Sequence, residues 1–298
     1  MTEYLTRRNA LALLGGAFAS LAGCRGSRQS TVIVGSKNFT EQIILAELLA
    51  QQIEAHSMLR VDRRLNLGGT LICQQALLAG QMDLYAEYTG TALTAILGEP
   101  SSHDAEAAYR AVHDAYRDRF GFDVGPPLGF NNTFAIVVRG EDAKNFKLHT
   151  ISDLAPYAPR WRAGFGYEFM ERSDGYLGLA GAYGLKFAAA PSIMDLGLLY
   201  RALNEHKVDV VAGNSTDGLI TALGMAILED DRHYFPPYQA VTVVRAATFQ
   251  AHPELRDALN ALGGKISDSE MRQMNYAVDG DQRDPATVAR EFRRMRNL

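Results

Sequence analysis

The sequence predicts an α/β protein folded as two lobes joined by two crossings. Three observations carry this prediction. Short β-branched or aromatic runs that stop at glycine or a polar loop alternate with helical segments, the pattern of strands feeding helices in a layered fold. The chain has 298 residues, more than a single core commonly takes. Two proline-centred breaks, Gly125-Pro126-Pro127 and Pro236-Pro237, interrupt the alternation. They divide the chain so that residues 31–128 and 237–298 would form lobe I and residues 129–236 an inserted lobe II.

Taken in order, Thr31–Gly35 is a β-branched run ending at glycine, a buried strand. Asn38 with Glu41 three residues later has the capping-box pattern, and Ile43, Ile44, Leu45, Leu48 and Leu49 continue a helix to about His56. Val61–Leu67 reads as a strand, Leu71–Ala79 as a helix, Asp83–Ala86 as a strand, and residues 104–120 as a charged amphipathic helix. Past the first break, Asn131–Arg139 is a strand, Ile151–Leu154 a short helix after Thr150, and Arg162–Gly166 a strand. Gly175–Tyr183 and Leu198–Glu205 follow as helices and Val208–Ala212 as a strand. Ala240–Val244 is a strand after the second break, and residues 253–263, 267–277 and 285–295 are helices. In open α/β sheets, ligands bind beside the loops that follow strands. Lys37, Gly68–Thr70, Tyr88, Asn132, Arg172, Asn214 and Tyr238 all fall in such loops.

The first residues read as a targeting segment. Arg7-Arg8 precede the apolar run Ala10–Ala22, and Leu21-Ala22-Gly23-Cys24 resembles the lipobox of bacterial lipoproteins. The expectation is a signal peptide over 1–23, cleavage before Cys24, lipidation of Cys24, and a polar tether over 24–30. The paired arginines also resemble a twin-arginine export signal, although the usual phenylalanine two residues on is absent. The product would be exported and lipid-anchored at the cell envelope. Cys73 would then be the one free thiol, a small buried hydrophobe rather than a reactive group.

Composition and motifs exclude several classes. A formal net charge of -4 disfavours a nucleic-acid surface. Beyond the N-terminus no apolar run approaches the ~18 residues of a membrane span. Nucleophile-elbow, zincin, phosphate-loop and dinucleotide motifs are absent, and the seven histidines lack metal-ligand spacing. No catalysis, cofactor or metal is therefore expected.

Eight segments occur in an order that matches a known family. They are VGSKNFTEQ ending at Gln42, LGGT ending at Thr70, DLYAEYTGTAL from Asp83, NNTFAI from Asn131, EFMERSDGY from Glu168, YGL from Tyr183, STDG from Ser215 and FPPY ending at Tyr238. As a set they resemble the glycine betaine/choline-binding proteins of osmoprotectant ABC importers, from about residue 31 to the C-terminus. The resemblance implies a type II periplasmic-binding-protein fold, a monomer whose lobes close on a quaternary amine, and a permease with its ATPase as partners. It implies an aromatic cage, in which ring faces attract a methylated ammonium that can donate no hydrogen bond. Tyr88 and Tyr238 match cage rings, Thr91 a position beside the ligand carboxylate, and Lys37 and Arg172 carboxylate-binding positions.

Two positions depart from the family. Phe134 stands where many members have tyrosine, and Asn214 where many have an aromatic residue. Asn132 occupies a position that is often acidic, which weakens the case for choline. The expected cage is thus Tyr88, Phe134 and Tyr238, serving a simple betaine or another amine that Asn214 hydrogen-bonds, such as a histidine betaine or a trimethylated amino acid. A secreted enzyme on the same fold is the reading from another class.

Overall fold

The computed structural model describes residues 31–298; the expected signal peptide, Cys24 and the tether lie outside them. Among the described residues, ten strands form two five-stranded mixed sheets, each flanked by helices, giving two α/β lobes. The first sheet has the order β2-β1-β3-β10-β4, with β1 Thr31–Gly35, β2 Arg60–Arg64, β3 Leu84–Tyr88, β4 Phe122–Val124 and β10 Ala240–Arg245. The second has the order β7-β6-β8-β5-β9, with β5 Phe134–Arg139, β6 Ala163–Phe165, β7 Ser192–Ile193, β8 Val210–Asn214 and β9 Met225–Leu228. In both, a returning antiparallel strand sits among parallel ones: β10 runs against β3 and β4, and β5 against β8 and β9.

Strand β3 shows how the first sheet is held. All five of its residues are buried, and they alternate between two cores. Leu84, Ala86 and Tyr88 join the main core, whereas Tyr85 packs with Tyr116 and Val112 of helix Ala105–Phe120 on the other face. This is the period-two geometry of a strand covered on both sides. Helix Thr40–His56 is buried nearly all round, because the C-terminal helices Glu254–Asn260, Asp268–Asp279 and Pro285–Arg296 wrap it. Two of its buried glutamines find partners there: Gln51 donates to the Ala286 carbonyl and Gln52 to that of Ala258.

The chain crosses between the sheets twice, after β4 and after β9, and the crossings run side by side. Asn131 and Gln239 form an antiparallel bridge, the Asn132 amide donates to the Tyr238 carbonyl, and the Tyr238 amide donates to Asn131 Oδ1. The strand expected from Asn131 therefore starts only at Phe134, since residues 131–133 belong to this paired crossing. The capping box expected of Asn38 and Glu41 does not form. Phe39 is the N-cap and makes no side-chain cap bond, and Glu41 turns inward instead. Strands β4, β7 and β9 and the helices Gly140–Phe146, Gly218–Ala222 and Ala246–Ala251 went unread, being too short to establish a period. No helix among the described residues is long and apolar enough to cross a membrane.

Candidate functional site

A cavity of about 430 Å³ lies at the seam between the lobes. All eight residues singled out in the sequence line it: Lys37, Tyr88 and Thr91 from the first sheet's loops, Asn132, Phe134, Arg172 and Asn214 from the second lobe's side, and Tyr238 from the crossing. Tyr88, Phe134 and Asn214 sit at the ends of β3, β5 and β8, and Lys37 follows β1. Thr91 lies in the turn after β3, Arg172 follows the short helix Tyr167–Glu171, and Asn132 and Tyr238 belong to the crossings, so not all of them fall in loops that follow strands.

The three rings expected from the sequence, Tyr88, Phe134 and Tyr238, are among those that wall the cavity. Phe134 opens β5 and meets Tyr238 edge-on, with ring centres 5.7 Å apart. Phe169 and Phe235 back Phe134 at 4.8 and 5.6 Å. Tyr88 closes β3 and stacks on Phe39 at 6.5 Å. Phe39 and Phe169 are thus further lining rings that the sequence reading missed, although Phe39 shares its loop with Lys37. Tyr238 reaches its place because Gly90 has no side chain: a Cβ there would lie 2.7 Å from both the Pro237 carbonyl oxygen and the Tyr238 ring. Asn214 is paired with Phe134 in the β5–β8 register, so an amide stands directly beside a ring. Tyr167 lines the mouth and is largely exposed, whereas Trp161 packs in the second lobe on Phe146 and Tyr157, outside the lining.

The rings already face cations. Lys37 Nζ is 5.1 Å from the centre of the Tyr88 ring, and the Arg172 guanidinium carbon is 5.1 and 5.8 Å from those of Phe134 and Tyr238. Both cations also have carboxylate partners. Lys37, almost wholly buried, donates to Glu87 Oε1 at 2.5 Å and to Thr70 Oγ1 at 2.7 Å. Arg172 grips Asp174 with Nε and Nη2 at 2.7 and 2.5 Å and reaches Thr91 Oγ1 with Nη1 at 3.0 Å. Asp174 further accepts from Tyr238 at 2.7 Å and from Thr94 at 2.9 Å. Burial works against the Asp174 charge, but Arg172 and the two hydroxyls hold its carboxyl below the usual range. Arg172 and Asp174 therefore fasten the second lobe to the first and to the crossing.

Beneath the rings lies Glu41, which the sequence reading took for a helix cap. It is buried and accepts four hydrogen bonds: from Tyr88 Oη at 2.6 Å, Asn132 Nδ2 at 2.8 Å, Thr216 Oγ1 at 2.5 Å and Asn275 Nδ2 at 3.0 Å. Burial pushes its carboxyl above the usual range, and those four donors oppose the shift. Burial, with the nearby Glu41 charge second, also keeps the Tyr88 hydroxyl protonated. Glu41 joins β3, the crossing, the Thr216 loop and helix Asp268–Asp279 at one point. No local signal in the sequence marks it. A second inter-lobe contact was also missed: Glu168 accepts from the Thr70 amide, the first of helix Thr70–Leu78.

Cys73 is fully buried, and burial raises its thiol to about 12, in keeping with a packing role. No group of three or more His, Cys, Asp or Glu placed to hold a metal ion occurs among the described residues.

Comparison with known proteins agrees with this geometry. Residues 30–294 match the model of the substrate binding domain of ABC-type glycine betaine transport systems. The carnitine transport binding protein OpuCC of Listeria monocytogenes is 38% identical over 280 residues, covering 93% of this chain and 91% of that protein. A glycine-betaine-binding protein of Pseudomonas aeruginosa is 34% identical over 292 residues, covering 95% and 93%. A crystal structure of a glycine betaine/carnitine/choline ABC transporter superposes with a TM-score of 0.74 at 37% identity, over 89% of this chain and 98% of that one. The two α/β lobes with mixed sheets match the type II periplasmic-binding-protein fold of such structural neighbours. The chain belongs to the family of substrate-binding domains of ABC-type glycine betaine transport systems.

Proposed function

We propose that this protein is the extracytoplasmic receptor of an ABC importer and that its inter-lobe cavity binds a quaternary ammonium solute. One observation carries the reading: Tyr88, Phe134 and Tyr238, far apart in sequence, line one cavity where the lobes meet. A methylated nitrogen cannot donate a hydrogen bond, so ring faces are its natural partners, at about 0.5–2 kcal/mol each when desolvated. Thr91, Asn132 and Asn214 shape the polar side with Lys37 and Arg172, which line the cavity and are paired with carboxylates.

Residues 31–128 with 237–298 and residues 129–236 would move as the two jaws, bending at the paired crossings. Export and anchoring through Cys24 are part of the proposal, supported by the Leu21–Cys24 sequence. So are a permease and ATPase as partners, a monomeric state, and binding without turnover, supported by relatives named as transport binding proteins.

Isothermal titration calorimetry with glycine betaine, carnitine, choline and a histidine betaine tests the reading. At least one should bind with a micromolar or tighter Kd. A folded protein that binds none below millimolar would refute it.

A further inference from the structure

Three carboxyl groups meet where the loop after β8 touches the first lobe, and none of them lines the cavity. Asp217 follows β8 of the second sheet, Glu41 lies in the first turn of helix Thr40–His56, and Asp279 ends helix Asp268–Asp279, which packs on that helix. Two hydrogen bonds fix their proximity. Thr216, next to Asp217, donates to Glu41 Oε2 at 2.5 Å, and Thr40, next to Glu41, donates to Asp279 Oδ1 at 2.5 Å. Asn275 Nδ2 adds a bond to the Thr216 carbonyl at 2.9 Å. The backbones touch as well. A Cβ on Gly218 would lie 2.5 Å from the Tyr276 backbone nitrogen, so only glycine lets the chain after Asp217 rest on that helix.

No cation answers this charge. The groups that face Asp217 are Tyr200 from helix Leu196–Asn204, the Asn214 amide from β8, Glu41 and Asp279. Tyr200 Oη and the Asn214 amide donate to Asp217 Oδ2 at 2.5 and 2.8 Å, while Oδ1 accepts nothing among the described residues and is free to carry a proton. Neutral donors likewise serve Glu41 and Asp279. No ion pair among the described residues joins any of the three. Burial, with the charges of Glu41 and Asp279 adding to it, raises the Asp217 carboxyl to about 7, and burial raises those of Glu41 and Asp279 too.

We propose that this contact is a proton-linked catch between the lobes: closing them sets Asp217 against Glu41 and Asp279 and takes up a proton on the cluster, so the receptor captures its solute more tightly as its surroundings turn acidic. The proposal rests on the reading above of a receptor whose lobes close on a solute. Parting the lobes at the crossings would return Asp217 to water and away from two like charges, so its carboxyl would ionise in the ordinary range. Between an ordinary 3.8 and about 7, the closed form then holds a proton that the open form has released. Affinity falls as pH rises through that window and levels off above it, by at most about tenfold per pH unit for one proton.

The test is calorimetry on the whole chain with glycine betaine, carnitine and choline, none of which changes charge between pH about 5.5 and about 8. Wild type should bind about fivefold or more tightly at the lower pH. Buffers of different ionisation enthalpy at pH about 6.5 should report uptake of roughly half a proton or more on binding. Asp217→Asn is isosteric and neutral, and its carbonyl can take both bonds now made to Oδ2. It should bind with one Kd across the range and take up no proton. Should it fail to fold, Asp279→Asn, which removes one like charge near the surface, should move the fall in affinity to lower pH. A wild-type Kd independent of pH, a slope kept by Asp217→Asn, or an unmoved midpoint in Asp279→Asn would overturn the catch. If none of the three amines binds, the receptor reading fails by itself, and small-angle scattering of the ligand-free chain decides the catch. Its radius of gyration should grow from the lower to the higher pH in wild type and stay constant in Asp217→Asn; no change in wild type would overturn the proposal.

Discussion

The hydroxyl of Tyr88 donates to the buried carboxylate of Glu41 across 2.6 Å, so a ring that walls the cavity is also a bolt of the fold beneath it. The two functions of the side chain can be separated. Tyr88→Phe keeps the ring and removes one of the four donors to Glu41. It should lower stability by about 1–3 kcal/mol, as expected when a buried acceptor loses a partner. Ligand affinity should change little. Denaturant unfolding read beside calorimetry checks this, and a large loss of affinity at unchanged stability would contradict it.

Removing the ring should act on binding. Tyr88→Ala and Tyr238→Ala should each weaken a quaternary amine by about 1–2 kcal/mol, roughly 5- to 30-fold in Kd. Tyr238→Ala should cost more of the two, because the Tyr238 hydroxyl also holds Asp174 and its ring packs on Phe134. Normal Kd values for both variants would mean that these rings only pack.

Asn214 lies opposite Phe134 on the neighbouring strand and lines the cavity. Asn214→Tyr should therefore add a ring face and tighten binding of a methylated ammonium by about 0.5–2 kcal/mol. A simple primary amine of the same size should gain less. Equal gains for the two ligands would show that the new ring adds only apolar contact.

Asp217 gives a pH dependence with a definite sign. Burial, with the charges of Glu41 and Asp279 adding to it, pushes its carboxyl up to about 7 from an ordinary 3.8, against the opposing bonds from Tyr200 and the Asn214 amide. Between those pH values the folded chain holds a proton that the unfolded chain has released. Stability from this group should thus fall as pH rises from about 4 to about 7 and level off above, with a slope of at most about 1.4 kcal/mol per pH unit. Asp217→Asn should flatten that part of the profile in thermal melts across the range. A slope unchanged by the substitution would rule Asp217 out as its source.

Much of the architecture was legible locally. The alternation of strands and helices, the two proline breaks and the rings at strand ends follow from side-chain periodicity and backbone preference over a few residues, which a single sequence displays. Tyr88, Phe134 and Tyr238 could be named because the segments that carry them, from Asp83, from Asn131 and ending at Tyr238, resemble those of the family. Strand ends drifted by one to three residues where the crossings take over the backbone, as at Asn131–Thr133.

What the sequence by itself determined, then, is the fold class, the order of its elements and the residues presented at the seam. The tertiary structure alone decided which charges meet. Glu41 collects donors 47, 91, 175 and 234 residues away, and Glu168 caps a helix 98 residues before it. Lys37 and Arg172, which both line the cavity, pair there with Glu87 and Asp174. Periodicity is a local property of the chain. The pairing of buried charges depends on which surfaces the two lobes bring together and on the high cost of burying an ion alone, so it exists only once the chain has closed on itself.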